Sequence, residues 1–481
     1  MRRRRRAQPL ARRRGAGARR RRHRARARAG VLRRRAAPRA AGSGRGLVNA
    51  IWLLMGLLVL SYLGSSLVGG RVLRGIGLPS GAEYVVLGFV LGPSALGLLE
   101  PSSLAAFEPV AGVALGWLAV VVGLDFGFVG NRRVRPSRMA LGVLMSLLTG
   151  SAVAAAVWFA AARGAPSLES GDRVLLAAGV GAVSAETTRH AVLWVTQRYS
   201  ASGKLSDLIA DIADCDDLGP LLMMGGAFAL VPQATGHWPL AFWGWTIVTA
   251  LIGVVLGLIA VVLLGSDFRL IQSWGVLLGT SLLTMGTSAR VGLSPLFATF
   301  AMGVTIAALS RHREEIVAMI APTERPVILP ALLLAGAQVN PKAAPFLPWI
   351  VAIALAARVL GKLATGLVFR VASPDARDTS PWLGLGLLSS GAVAMSVGLA
   401  FALRFPGPVG HTVLVAAAAA AVFGELVGPQ ALRATLRKAG ELAAPERESL
   451  FFGRGLGRAA RDAAPGDGDV PPPPVAERGE G

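Results

Sequence analysis

Apolar runs recur along this chain from Leu47 to about Leu432, separated by short stretches rich in arginine, glycine and proline. Roughly 18 or more consecutive apolar residues suffice for a helix to cross a bilayer, so the pattern predicts an all-α polytopic membrane protein. Thirteen transmembrane segments can be drawn: about 47–68, 82–99, 106–130, 138–162, 174–197, 205–231, 241–264, 268–288, 292–310, 325–339, 345–370, 381–404 and 409–432. Both ends fall outside the pattern. Residues 1–46 are of low complexity and predict a disordered arginine-rich tail. Residues 433–481 end in "GDGDVPPPPVAERGEG", too poor in apolar side chains to fold, and predict a disordered cytoplasmic tail.

Composition agrees, with 53% hydrophobic and only 16% charged residues. The net charge of +23 points to nucleic acid until its placement is considered. Residues 1–46 hold 20 arginines and no acid, which leaves +3 for the remainder, so no nucleic-acid partner is expected. Those 46 residues do not resemble a signal peptide, since the arginine run is too long and no cleavage site follows the first apolar run. A lone cysteine, Cys215, excludes an intramolecular disulfide and a cysteine-based metal cluster. No glycine-rich nucleotide fingerprint follows the last span, so no cytoplasmic regulatory domain is expected.

Loop charge orients the spans. If the first begins outside, the inward loops carry 14 basic residues and the outward loops five. A multi-pass protein of the cell membrane follows, with its N-terminus outside, its C-terminus cytoplasmic and an odd number of spans. The 20 arginines of residues 1–46 would then lie outside, against the same rule. We expect that tail to be no part of the working protein, its start having been assigned too early.

Five features place polar groups where lipid is expected. The sixth span opens with "SDLIADIADCDDLGPLLMM", five aspartates at the head of an apolar run. On a continuous helix Asp207, Asp211 and Asp214 lie within about 60° of one another, and Asp217 extends the strip a turn deeper. A carboxylate in a bilayer costs at least a few kcal/mol and faces a cavity, an ion or a basic partner. Asp207 and Asp211 also suit the inner headgroup region. Together with Asp214 they read as an acidic cytoplasmic funnel, and Asp216 and Asp217 as the deep pair. The eleventh span holds Arg358 and Lys362 on one face, Lys362 being the one lysine within an apolar run of a chain that has 46 Arg and four Lys. A lysine can lose its proton when buried and an arginine cannot; snorkelling to the inner interface is the competing reading. The fifth span contains "GAVSAETTRHAV", whose Ser184, Glu186, Thr187, Thr188, Arg189 and His190 suit an unwound helix. A merely structural Glu186–Arg189 pair at helical spacing competes with this. The twelfth span contains "LLSSGAVAMSVG", with Ser389, Ser390 and Gly391 at its centre. Five and twelve differ by seven, so spans 1–6 and 8–13 read as two inverted repeats with two discontinuous crossing helices, a transporter arrangement. Lastly, "LGFVLGPSALGLLE" is broken at Gly92-Pro93, which also fits an ordinary kink.

At this point the residues resemble a known family. "GFVLGPSALGLL" is similar to the Gly-Pro-Ser-x-Leu-Gly-Leu signature of the monovalent cation:proton antiporter superfamily of the sodium/hydrogen exchanger type. The stretches "GLDFGFVGNRRVRPSRMALGVLMSLLTG", "ADCDDLGPLL", "GLSPLFATFAMGV" and "GPQALRATLRKAGE" follow in similar order and spacing, together covering about 47–440. The resemblance implies a sodium/hydrogen exchanger-like domain over 47–432. It implies a homodimer in which a core with two crossed broken helices moves against a dimerisation domain. It further implies Asp217 as the ion- and proton-binding carboxylate, Asp216 beside it, Lys362 as its basic partner and Arg358 as a supporting charge. Glu186, Thr187 and Thr188 would stand at one break, and Ser389, Ser390 and Gly391 at the other. Two departures stand out: the first break reads Glu186-Thr187-Thr188-Arg189-His190, and the position after Gly391, often an acid in the family, is Ala392.

The expected function is secondary active exchange of a monovalent cation, Na⁺ or K⁺, for protons by alternating access. Cation and protons would compete for Asp217 and Asp216, whose oxygens suit a hard cation. No cofactor is expected. A sodium-coupled organic-anion symporter of the bile-acid type, with Arg189 and Arg358 facing a substrate carboxylate, is the nearest alternative, and a potassium efflux protein the next. A membrane enzyme has least support, because no nucleophile set or metal-spaced acids occur.

Overall fold

The computed structural model describes residues 81–442, apart from 131, 232–239, 266–269 and 378, together with positions 52, 56 and 59. The expected first span, the arginine-rich tail and residues 443–481 otherwise lie outside the described residues. In chain order the elements are α1 (Ala82–Leu91), α2 (Pro101–Asp125), the strands β1 (Phe128–Val129) and β2 (Arg132–Arg133), α3 (Pro136–Gly164), α4 (Ser170–Ala185), α5 (Arg189–Arg198), α6 (Lys204–Ala213) and α7 (Leu218–Ala229). There follow α8 (Phe242–Leu264), α9 (Leu270–Val291), α10 (Pro295–Leu309), α11 (Arg313–Ala337), α12 (Leu347–Ala372), a 3-10 turn (Leu383–Leu387), α13 (Ala392–Arg404) and α14 (Pro408–Lys438).

Six of these helices, α2, α3, α8, α11, α12 and α14, are long and apolar enough to cross a membrane. Their outer faces are built for lipid. On α8 the residues Trp243, Ile247, Leu251 and Val255 recur every fourth position and are all exposed. A water-facing helix would bury such a stripe, whereas in hydrocarbon it carries no cost.

The helices sort into two groups. In one, α10 lies between α2 and α8, with α9 and α11 beside them and α1 against α11. In the other, α3, α7, α12, α13 and α14 pack around α4, with the short α5 against α14 and the short α6 against α3. The groups meet where α7 touches α8 and α10, where α13 touches α2 and α11, and where α14 touches α1. Close approach within the first group depends on glycine. A Cβ on Gly88 would stand 2.0 Å from the Leu333 carbonyl oxygen, and one on Gly336 2.1 Å from that of Val85.

Several boundaries depart from the sequence reading, each for a local reason. The third span ends at Asp125, because Gly127 adopts φ +80° and turns the chain into the β1–β2 hairpin. The span expected at 325–339 begins at Arg313, since Pro322, Pro326 and Pro330 lie within one continuous helix. The sixth span is two helices. Pro220 has no N–H to return to the Asp216 carbonyl and its ring would crowd that oxygen, so α6 and α7 are separated by a turn over Asp214–Asp217. The fifth and twelfth spans are also interrupted, at Glu186–Thr188 and Leu388–Gly391. At the other end, α14 continues to Lys438, beyond the expected boundary at 432.

Candidate ion site at the crossing of two broken helices

Each interruption frees backbone groups that the bilayer offers no water to satisfy, so their partners define the site. At the first break, α4 ends at Ala185 and Glu186 to Thr188 are extended. The freed carbonyls are taken by two cations of α12. Arg358 donates to the carbonyls of Ser184 and, at 2.7 Å, Glu186. Lys362 Nζ donates to the Ala185 carbonyl at 2.9 Å and the Thr187 hydroxyl at 2.7 Å, and that hydroxyl in turn donates to the Leu387 carbonyl at 3.2 Å. Arg358 then reaches the second break, donating to Ser389 at 3.0 Å and Leu388 at 3.4 Å. One guanidinium thus joins both broken helices, a role its planar fork suits and an ammonium does not. Arg358 is 0% and Lys362 1% exposed, so neither snorkels.

The second break leaves the N-terminus of α13 bare, and the acid that meets it comes from the first. Glu186 Oε2 accepts from the Ser390 hydroxyl at 3.1 Å and from the backbone N–H groups of Gly391 at 3.0 Å and Ala394 at 3.1 Å. A carboxylate here satisfies orphan amides and the positive end of the helix dipole. The competing reading, a Glu186–Arg189 pair at helical spacing, therefore does not hold. The 3-10 turn leading into the break lies directly on α12, where a Cβ on Gly384 would stand 1.9 Å from the Lys362 carbonyl oxygen.

Asp216 and Asp217 sit in the turn between α6 and α7, facing this crossing. Asp216 is buried, with Lys362 Nζ 3.5 Å from its carboxylate. Asp217 is half-buried, and its carboxylate makes no hydrogen bond or ion pair among the described residues. It borders an open cavity of about 40 Å³, whose wall also holds Glu186, Thr188, Arg189, Asp214, Asp125, His190 and Glu324. Arg189 spans the outer part of this wall, 2.7 Å from Asp125 and 3.2 Å from Asp214. His190 lies 3.5 Å from Glu324, and Arg313 approaches Asp125 from the other side at 3.8 Å.

The structure thus brings Glu186, Thr187, Ser389, Ser390, Gly391, Arg358, Lys362, Asp216 and Asp217 to one place, with Thr188 on the cavity wall. It does not assemble Asp207, Asp211 and Asp214 into one water-facing strip. Asp207 is exposed at the start of α6, while Asp211 is buried and bound by Arg132 and, at 2.6 Å, Arg138. Only Asp214 borders the cavity. The three stay on one helix, and arginine partners separate their roles: Arg132 and Arg138 cover Asp211, and Arg189 holds Asp214, while the turn before Pro220 displaces only Asp217 from their line. Sequence reasoning missed Asp125, Arg313 and Glu324. The one available signal for Asp125 was an acid ending a long apolar run, which reads equally well as an interfacial residue. Among the described residues no group of three or more His, Cys, Asp or Glu side chains is arranged to hold a resident metal ion.

Crossed broken helices around buried acids, within a bundle of lipid-facing helices, are the architecture of a multi-pass membrane transporter. The sodium/hydrogen exchanger transmembrane family model matches residues 59–438, and the chain belongs to that family. No curated protein matches it significantly by direct sequence comparison. Its fold is similar to a structure of the sodium proton antiporter MjNhaP1 from Methanocaldococcus jannaschii at pH 8, with TM-score 0.60 and 14% identity over 80% of this chain and 99% of that one. An electron-microscopy map of the same antiporter gives TM-score 0.59 and 15% identity, over 82% and 99% of the two chains.

Proposed function

We propose that this chain exchanges a monovalent cation, Na⁺ or K⁺, for protons by alternating access, with Asp217 and Asp216 as the shared cation and proton site. The observation that carries this reading is the unpartnered Asp217 carboxylate on a cavity wall, beside the buried Asp216–Lys362 pair at the crossing.

Charge supports it. With their ordinary charges, Asp216, Asp217 and Glu186 oppose Arg358 and Lys362, which leaves one net negative charge at the crossing. A single proton or a single monovalent cation cancels it, and a divalent ion does not. An uncancelled charge is costly to carry through a low-dielectric region, so the neutral, loaded states are the ones free to move. Proton and cation are then alternatives for one site, which yields exchange without a separate gate. The moving part in this reading is the group containing α3–α7 and α12–α14, and the other group is its fixed partner in a homodimer. The two breaks stand in equivalent positions of two inverted repeats.

The organic-anion alternative has less support. Arg358 is committed to four carbonyls and Arg189 to two acids, which leaves an acid-lined cavity with no cation directed at a substrate carboxylate. Proton flux driven by gradients of Na⁺, K⁺ and Li⁺ in proteoliposomes, across pH, tests the reading and names the ion. Exchange with at least one of the three is expected; uptake of a labelled organic anion driven by sodium, without proton exchange, would replace it.

A further inference from the structure

Arg189 has no place in the exchange scheme as it stands. Three observations give it one. It is the first residue of α5, where the helix dipole disfavours a positive charge, and no acid occupies that first turn. The one acid of its own break, Glu186, faces away from it and serves the second break. Its guanidinium instead spans the cavity wall between Asp125 of α2 and Asp214 of the α6–α7 turn, while remaining 29% exposed.

Resting on the exchange reading above, we infer that Arg189 is a resident cation of the transport cavity: it occupies Asp125 and Asp214 in competition with the transported ion and so sets how weakly the site holds that ion. Two of the wall's acids are neutralised by a group that cannot leave, while Asp217 on the same wall makes no ion pair among the described residues. A cation entering the cavity meets the guanidinium as a like charge and gains full access to the wall only as Arg189 swings aside. An arginine is suited to this role because its fork engages two carboxylates and its charge is never lost to titration. Because Asp125 and Asp214 lie on different helix groups, the same contact also spans the boundary between them.

The test compares half-saturating cation concentrations in proteoliposomes, using whichever of Na⁺, K⁺ or Li⁺ the unaltered protein exchanges. Arg189→Gln removes the resident charge and is expected to lower half-saturation about tenfold, as the loss of a like charge at close range requires. Arg189→Lys keeps the charge but not the fork and is expected to fall between Arg189→Gln and the unaltered protein. Arg189→Cys allows the comparison within one folded sample. The chain's lone cysteine, Cys215, is buried, and the unaltered protein serves as its reagent control. Attaching a positively charged aminoethyl group to Cys at 189 is expected to raise half-saturation again, and a neutral methylthio group to leave it low. Half-saturation that is unchanged or higher in Arg189→Gln, or insensitive to the added charge in Arg189→Cys, overturns the role of Arg189 while exchange itself stands. Absence of exchange by the unaltered protein with all three cations overturns the exchange reading and this inference with it.

Discussion

Glu186, at the break of one helix, accepts hydrogen bonds from the backbone N–H groups of Gly391 and Ala394 at the start of the other, at 3.0 and 3.1 Å. The acid missing at Ala392 is thereby supplied across the crossing by a residue some two hundred positions earlier in the chain. The carboxylate that caps the second break thus comes from the first.

Glu186→Ala is expected to abolish exchange and to lower stability by about 1–3 kcal/mol, the cost of leaving buried donors without a partner. In Glu186→Ala/Ala392→Asp an acid returns to the first turn of α13, and part of the activity is expected to return. Exchange in proteoliposomes and melting in detergent check both; a double variant no better than the single would show that position, and not charge alone, is what matters.

Arg358→Lys is expected to destabilise the fold by about 3–5 kcal/mol despite conserving charge, because one ammonium cannot serve carbonyls of both breaks. Thermal melting of the purified protein measures this. A melting temperature close to that of the unaltered protein would contradict the joining role assigned to the guanidinium.

Removing Lys362 alone leaves the crossing with two net negative charges, and Lys362→Gln is expected to lose at least about tenfold in exchange rate. Removing Asp216 with it, in Lys362→Gln/Asp216→Asn, restores the single net negative charge. The double variant is therefore expected to exchange faster than Lys362→Gln, a coupling that a double-mutant cycle reads directly.

Asp211 is expected to matter for folding and not for the ion. Its carboxylate is buried against Arg132 and Arg138, away from the cavity. Asp211→Asn is expected to cost about 1–3 kcal/mol in stability and to leave half-saturation for the cation unchanged. A raised half-saturation in a protein of unaltered melting temperature would return Asp211 to the ion path.

Asp216, Asp217, Lys362 and Arg358 were legible in the sequence because a charge inside an apolar run has few physical excuses. The breaks were legible for the same reason, as polar or glycine-bearing runs interrupting hydrophobic ones. Partners were not. Glu186 and Arg189 stand at helical spacing and read naturally as a pair, yet tertiary contacts draw them to opposite sides of the break. Asp207, Asp211 and Asp214 do share one helix, but the arginines that cover Asp211 and Asp214 come from distant stretches of the chain that helical spacing does not reveal. The extent of α11 was not legible either: its three prolines sit in one continuous helix, because a helix packed by its neighbours tolerates what local propensity forbids.

The most direct test of the central claim is cation-driven proton flux through proteoliposomes holding the unaltered protein and Asp217→Asn. Exchange with Na⁺ or K⁺ is expected in the first and its loss, by about a hundredfold or more, in the second, since the amide removes the carboxylate both ions share. Undiminished exchange in Asp217→Asn would contradict the assignment of that carboxylate as the site where cation and proton compete.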